Sequence, residues 1–596
     1  MMQGNPSLIG YVDAVKGGVV TIRLRDDAPT FMMVYGRSYR VGQVGAFLRI
    51  PLGYTQLYAV CTLVGAAITP TTDVSHLPLG YRSLSATLFG ESIGGMFERG
   101  VSQYPTIRDE VHLVTPADMR VIYGSTSEER AITIGNIAAA SGISGSLDLG
   151  RLVTRHSAIV GSSGSGKSNL VAVLVEAIAT QGFPSARVLI IDPHGEYASA
   201  VGQYGRVFRV KPDVGKGELP LRVPYWALPF DELQAIALGS MQPISETAVR
   251  DEVMARKKAA AALLPDAPPE TVITSDSPIP FSLKRLWFDL DDFERQTFQD
   301  NTRTTPCVKT QAGNPDLLSP NQYPAPNPGN QAPYAHPRPR NITKQLELLR
   351  SRIQDSRYAF LFDPGNDLLP DLDGKITGDL HNLVQSWVGH DKPLTVLDVS
   401  GLPSEILSTI VGTLVRIVYD LLYWAHDLPI SGRNQPLLVV LEEAHIFLPQ
   451  DGDSAAHRTI SKIAKEGRKY GIGLCVVTQR PVDIESTVLS QCGTMIALRL
   501  TNSADRTKVE AAMPDDLGAL SGLLPAMRTG EGLVLGEAMP IPSRIQFFKA
   551  RRRPRGDDPE MPKAWRNPRP DTAHYKSALV NWRHQADVTG KDPNND

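Results

Sequence analysis

A lysine and a serine closing a glycine-rich octapeptide carry the plainest chemistry in this 596-residue chain: Gly161-Ser-Ser-Gly-Ser-Gly-Lys167-Ser168. Glycines let successive backbone N–H groups close around phosphate oxygens, and a helix start adds a favourable potential for an anion. Lys167 is placed to reach the terminal phosphates, and the hydroxyl of Ser168 is a hard ligand suited to Mg²⁺. The stretch fits G-x-x-x-x-G-K-[ST] at every fixed position. Gly161, Ser162, Ser163, Gly164, Ser165, Gly166, Lys167, Ser168 and the following Asn169 are therefore the expected nucleotide-binding set, with ATP and Mg²⁺ as cofactors. A flexible Gly/Ser loop is the plain alternative, and the flanks disfavour it. His156-Ser-Ala-Ile-Val160 reads as a short buried strand, and residues 169–179 are apolar at helical spacing.

Hydrolysis also needs an acid for the metal shell and a group to polarise the attacking water. Three apolar, strand-like runs end in acids: 187–191 before Asp192, 394–397 before Asp398, and Leu437-Leu-Val-Val-Leu441 before Glu442-Glu443. Only the last offers two adjacent carboxylates. Glu442 is assigned to the metal shell and Glu443 to general-base or water-orienting work, against the alternative of two solvated acids at a strand end. Gln479 ends the run Gly473-Leu-Cys-Val-Val-Thr478 and is either a sensor of the γ-phosphate and water or a capping amide. Arg468, within Lys465-Glu-Gly-Arg-Lys-Tyr470, is a candidate to stabilise the transferring phosphoryl group from a neighbouring subunit; a surface basic residue is its rival.

Such residues need a scaffold that ends several strands along one edge. From 156 onward, continuous apolar strands alternate with helices, the pattern of a parallel sheet covered on both faces, with ligands at the strands' C-terminal ends. The expected fold class is α/β: a RecA-like P-loop ATPase core with an N-terminal small β-barrel and an inserted helical subdomain. Short β-rich runs broken by Lys16-Gly17-Gly18, Gly42 and Pro51-Leu-Gly53 put the barrel at 1–120, with attachment or assembly as its role. The core occupies 121–227 and 386–550. The helical insertion is 228–385; inside it, 301–340 holds nine prolines among Asn and Gln residues, which reads as an extended, mobile loop. The basic tail, 551–596, opens with Arg551-Arg-Arg-Pro-Arg555 and is either solvated or a contact for phosphates or a partner.

The net charge of −2 supplies no global positive field, so contact with nucleic acid must come from a local patch or an assembled ring. Cys61, Cys307, Cys475 and Cys492 lack metal-like spacing and read as reduced thiols of a cytosolic protein. No charged-then-apolar leader and no run of 18 apolar residues is found, which disfavours secretion or a membrane span and gives a cytoplasmic expectation.

Taken in order, the barrel-like start, H-S-A-I-V-G-S-S-G-S-G-K-S, I-D-P-H-G-E-Y, L-E-E-A-H, E-G-R-K-Y-G and T-Q-R-P resemble the HerA DNA-translocase family, relatives of FtsK-type pumps, over about residues 1–550. The resemblance implies a homohexameric ring that threads double-stranded DNA through its pore while hydrolysing ATP. It also implies a separate nuclease or other effector, docked through the barrel, in DNA processing or antiviral defence. The chain holds no convincing nuclease set of its own, which agrees with a nuclease acting in trans. Glu442 stands where the family usually has Asp, one methylene longer. Two rival readings are a nucleotide-controlled ring platform that assembles and activates an effector with little translocation, and an ATPase that remodels protein.

Overall fold

The computed structural model describes residues 7–34, 37–66, 82–124, 127–138, 142–329, 331–513, 518–556, 561–566 and 571–584. The first nine strands are β1 (Leu8–Lys16), β2 (Val19–Leu24), β3 (Phe31–Val34), β4 (Arg37–Arg40), β5 (Phe47–Leu52), β6 (Thr55–Ala66), β7 (Arg82–Ile93), β8 (Met96–Arg99) and β9 (Glu110–Leu113). Six of them, in the order β2-β1-β9-β5-β6-β7, close on themselves because β2 also pairs with β7; β8 is added to β7. Every pairing in the ring is antiparallel. Alternation explains the barrel: Val20, Ile22 and Leu24 point inward from β2 to meet Ile9, Ile50, Leu57, Leu84 and Val111. Gly17, at φ 58°, makes the tight β1–β2 reversal that the glycine pair predicts.

The remaining strands form one sheet: β10 (Ala131–Ile137), β11 (Ser144–Asp148), β12 (Ser157–Val160), β13 (Arg187–Asp192), β14 (Gly205–Arg209), β15 (Leu219–Pro220), β16 (Leu394–Asp398), β17 (Leu437–Leu441), β18 (Ile472–Thr478), β19 (Thr494–Leu498), β20 (Glu531–Gly536) and β21 (Ser543–Phe547). Their order is β11-β10-β21-β20-β19-β12-β18-β17-β13-β16-β14-β15. From β19 to β15 all neighbours are parallel, and from β20 outward they are antiparallel. Strands β12, β16, β17, β18 and β19 are buried at every residue, as their unbroken apolar runs require of a sheet covered on both faces. Helix Ser404–Trp424 is long and apolar enough to cross a membrane, but it packs on helix Ala455–Glu466 as a core element.

Between β15 and β16 the chain makes helices Phe230–Ala237, Pro243–Ala261, Leu283–Arg295, Thr343–Gln354 and Leu380–Val388. The proline-rich stretch inside this insertion, read from its composition as an extended loop, is largely exposed and holds no helix or strand among its described residues, yet it is tied down at several points. Isolated bridges pair Phe298 with Pro306 and Tyr334, and Gln311 with Gln322. Asn321 and Tyr323 donate to Asp292 at 2.6 and 2.8 Å, and Arg340 covers the Phe293 ring at 4.5 Å. Proline removes backbone donors, so polar and aromatic side chains do the tethering that a ladder would otherwise do.

Residues 555–596 form a second compact unit, with helices Met561–Ala564 and Thr572–His584. The end of the basic tail, 585–596, lies outside the described residues.

Candidate active site

The loop after β12 is stapled to the strands on either side. Gly161 N–H donates to the Thr478 carbonyl (3.3 Å) at the end of β18, and Ser162 N–H to the Arg499 carbonyl (2.9 Å) just past β19. Gly530 N–H, before β20, donates to the Ser165 carbonyl at 2.9 Å. Two glycines are demanded by geometry. Gly166 has φ 107°, and a Cβ there would lie 3.2 Å from the Gly530 backbone; a Cβ at Gly161 would lie 2.6 Å from Ser165 Oγ. Helix Lys167–Thr180 then starts with its N–H groups aimed at the loop.

Lys167 is 7% exposed, and its Nζ donates to the Ser162 carbonyl at 3.4 Å. Burial lowers its pKa, partly countered by Glu443, Glu442 and Glu196. All three carboxylates are close enough to act on the lysine's charge. Strand order explains the meeting: only β18 separates β12 from β17, a gap of about 10 Å. Glu442 extends the ladder by donating its N–H to the Ile191 carbonyl at 3.2 Å. Glu443 adopts φ 48°, a left-handed conformation uncommon outside glycine, which turns the chain off the strand.

The two glutamates differ in charge state. Burial, with the charge of Glu443 added, pushes the Glu442 carboxyl up to about 8. Burial also acts on Glu443, but the His445 ring and Lys167 more than offset it and hold that carboxyl below its ordinary value. Glu443 Oε2 lies 3.2 Å from His445 Nδ1 without hydrogen-bond alignment, and Thr478 Oγ1 is 3.4 Å from the same nitrogen.

The other two strand-end acids are committed elsewhere. Asp192 accepts from the backbone N–H groups of His194 (3.2 Å), Gly195 (2.8 Å) and Tyr197 (2.9 Å). Asp398 accepts from Arg209 Nε at 2.7 Å and from Ser400 Oγ at 2.6 Å. The Asp192 turn brings Glu196 and Tyr197 to the loop. The buried Tyr197 hydroxyl sits beside Ser168 and Glu442, though without an aligned hydrogen bond. Sequence reasoning used D-P-H-G-E-Y only as a family marker and gave no site role to Glu196, Tyr197 or His445. The signal was an acid and a tyrosine four and five residues beyond a strand-end aspartate.

Gln479 is joined to the loop directly, Ser163 Oγ donating to its Oε1 at 2.5 Å. Asn169 points elsewhere: its Nδ2 donates to the Phe548 carbonyl (2.8 Å), and its Oδ1 accepts from Ala550 N–H (3.0 Å). Arg468 is exposed in the turn Gly467–Tyr470 before β18. Seven residues of strand, about 20 Å, separate it from the Gln479 end, so the fold does not bring it to this chain's own loop.

The residues fit magnesium and a triphosphate. Ser165 Oγ, Glu196 Oε2, Tyr197 Oη, Glu442 Oε2 and Glu443 Oε2 are buried without hydrogen-bond partners, all around the lysine and the serine hydroxyl. Buried polar atoms are normally satisfied, so this concentration marks where a polar ligand belongs. Among the described residues no group of three or more His, Cys, Asp and Glu side chains is arranged to hold a metal, so an ion here would depend on the serine hydroxyl and the phosphates as well.

Comparison with known proteins gives the family. The model of the helicase HerA central domain matches residues 132–418, and that of the helicase HerA-like C-terminal domain matches 414–534. A probable helicase of Methanocaldococcus jannaschii is 25% identical over 439 residues, 70% of this chain and 71% of that protein. The DNA double-strand break repair helicase HerA of Pyrococcus furiosus is 26% identical over 460 residues, 72% of this chain and 71% of that one. The solved structure of VirB4 of Thermoanaerobacter pseudethanolicus aligns over 72% of this chain and 98% of that one, at 16% identity and a TM-score of 0.44. Matched from β10 through most of β20, the chain belongs to the HerA family and is an ATPase.

Proposed function

We propose that this chain is an ATP-driven motor on double-stranded DNA that works in the cytoplasm as a closed homohexameric ring. In that reading a separate nuclease or other effector acts alongside it, in DNA processing or antiviral defence. The observation that carries the reading is the split of the machinery between the two ends of β18. Loop, carboxylates and Gln479 gather at one end, and Arg468 stands at the other, where only a neighbouring copy has use for it.

Lys167, Ser168 and Glu442 would hold Mg-ATP, with Tyr197 bracing Ser168 and Glu442. Bound magnesium would neutralise charge developing on the phosphate oxygens. Glu443, kept ionised beside Lys167, accepts the proton of the attacking water, and His445 fixes its orientation. Ser163 holds the Gln479 amide at the loop, where it reports the state of the phosphate to β18. Hydrolysis changes the charge at one end of the strand, and a change of subunit contact at the other end converts it into movement.

The test is phosphate release with and without duplex DNA, together with clearance of a protein roadblock from that duplex. Stimulation and clearance support a motor. ATP turnover that ignores DNA, with no clearance, would instead support a platform that arranges an effector.

A further inference from the structure

A triphosphate whose reacting end lies at Glu443 runs away from that residue toward the other side of the loop. Strands β18 and β17 stand on the carboxylate side of β12, and β19, β20 and β21 stand on the opposite side. There the loop meets the turn before β20. A Cβ at Gly166 would lie 3.2 Å from the Gly530 backbone, and Gln546 Nε2, from β21, donates to the Gly530 carbonyl at 2.9 Å. Strand β21 ends at Phe547, which is buried in the core shared with Leu170 and Val171 of the loop's helix. Phe548 comes next and, by the alternation of an extended chain, turns out of that core. It is 40% exposed.

A single exposed phenylalanine is ordinary, but this one is held in place. Its N–H donates to the Ile134 carbonyl at 3.0 Å, and its carbonyl accepts from Asn169 Nδ2 at 2.8 Å. Asn169 Oδ1 accepts in turn from Ala550 N–H at 3.0 Å. Asn169 directly follows Ser168, so the helix that carries the loop also fixes the distance from the phosphate cradle to this ring. Tyr197, on the carboxylate side, is fully buried and has no open face to offer. A partly open aromatic ring on a backbone tied at both its N–H and its carbonyl suits stacking against a flat heteroaromatic ring, because little freedom is lost on binding. We infer that Phe548 is the platform on which the base of the bound nucleotide stacks. This rests on ATP binding at the loop and goes beyond it by naming what holds the base.

The test uses the full-length Phe548→Ala and Phe548→Trp proteins and compares Mg-ATP with Mg-tripolyphosphate, which carries the phosphates without a base. Phe548→Ala should weaken ATP binding about tenfold or more and leave tripolyphosphate binding unchanged. Phe548→Trp should keep its affinity for ATP, and its added indole emission, measured against the unsubstituted chain, should be quenched by ATP but not by tripolyphosphate. Unchanged ATP affinity in the alanine protein overturns the proposal. Equal weakening of both ligands also overturns it, since the segment would then support the loop and not the base. Should the alanine protein not fold, the tryptophan protein decides, and emission that ATP leaves unaltered refutes the platform. An unsubstituted chain that binds neither ligand is a different failure, that of nucleotide binding itself, and takes the proposal with it.

Discussion

Without bound metal, two carboxyls one residue apart hold protons differently: Glu443 is kept below its ordinary value and Glu442 is pushed above it, so magnesium binding at Glu442 would release that proton. Glu443, ionised beside Lys167 and His445, is a base ready to accept a proton; Glu442, 3% exposed, holds its own proton up to about pH 8. Glu443→Gln should therefore still bind a fluorescent ATP analogue while phosphate release falls about 10²–10⁴-fold. Turnover within a few fold of wild type would take the base role away from it. For Glu442 the folded-state pKa lies above the ordinary 4.5, so the folded protein keeps a proton that the unfolded chain has already lost. Its stabilising share is complete below about pH 4.5 and fades as the pH climbs toward about 8. Without nucleotide, Glu442→Gln should leave Tm nearly unchanged at pH 5 and raise stability by about 1–3 kcal/mol at pH 8. Calorimetry at the two pH values checks this, and equal melting at pH 8 would contradict it. The pairing of these acids was legible in Leu441-Glu442-Glu443. Their division of charge was not, because it depends on Lys167 and His445 approaching from elsewhere in the chain.

At the scale of elements, the loop keeps its shape because strands from three separate stretches of sequence end beside it. Apolar runs announced β12, β13, β16, β17, β18 and β19 from the sequence, and acids end β13 and β16 and follow β17. Strand β14 and the edge strand β15 gave no such signal, and neither did the segment after β21. The basic run Arg551-Arg-Arg-Pro-Arg555 read as either a solvated tail or a contact for phosphates or a partner; residues 548–553 lie along the loop's helix. Asn169 ties Phe548 and Ala550, Glu176 accepts from Arg551 N–H at 3.1 Å, and Ser199 Oγ donates to the Arg553 carbonyl at 2.9 Å. These ties span hundreds of residues and leave no periodic trace. Asn169→Ala should cost about 1–2 kcal/mol, the worth of two hydrogen bonds, and expose the amides of 548–551 to faster hydrogen exchange. Unaltered exchange there would mean the asparagine serves the nucleotide instead. In the proline-rich stretch, composition shows the missing backbone donors but not the Asp292 and Phe293 side chains that tie it down.

At the scale of the whole molecule, the proposed ring rests on a catalytic set divided between opposite ends of one strand, which copies of the chain would complete by meeting. ATPase activity per subunit should rise with protein concentration until assembly saturates, and dilution below that range should abolish most of it. The sequence identified Arg468 but placed it only between two motifs. The parallel sheet adds that its own loop is about 20 Å away. Mixing two inactive proteins tests this dependence most directly: Arg468→Ala, with an intact loop, and Lys167→Ala, with an intact arginine. Random mixing opposes a working loop and a working arginine at some interfaces, so the mixture should recover about a quarter of the wild-type rate. A mixture no faster than the sum of its two components, in particles shown by mass to contain both, would contradict hydrolysis across the subunit boundary.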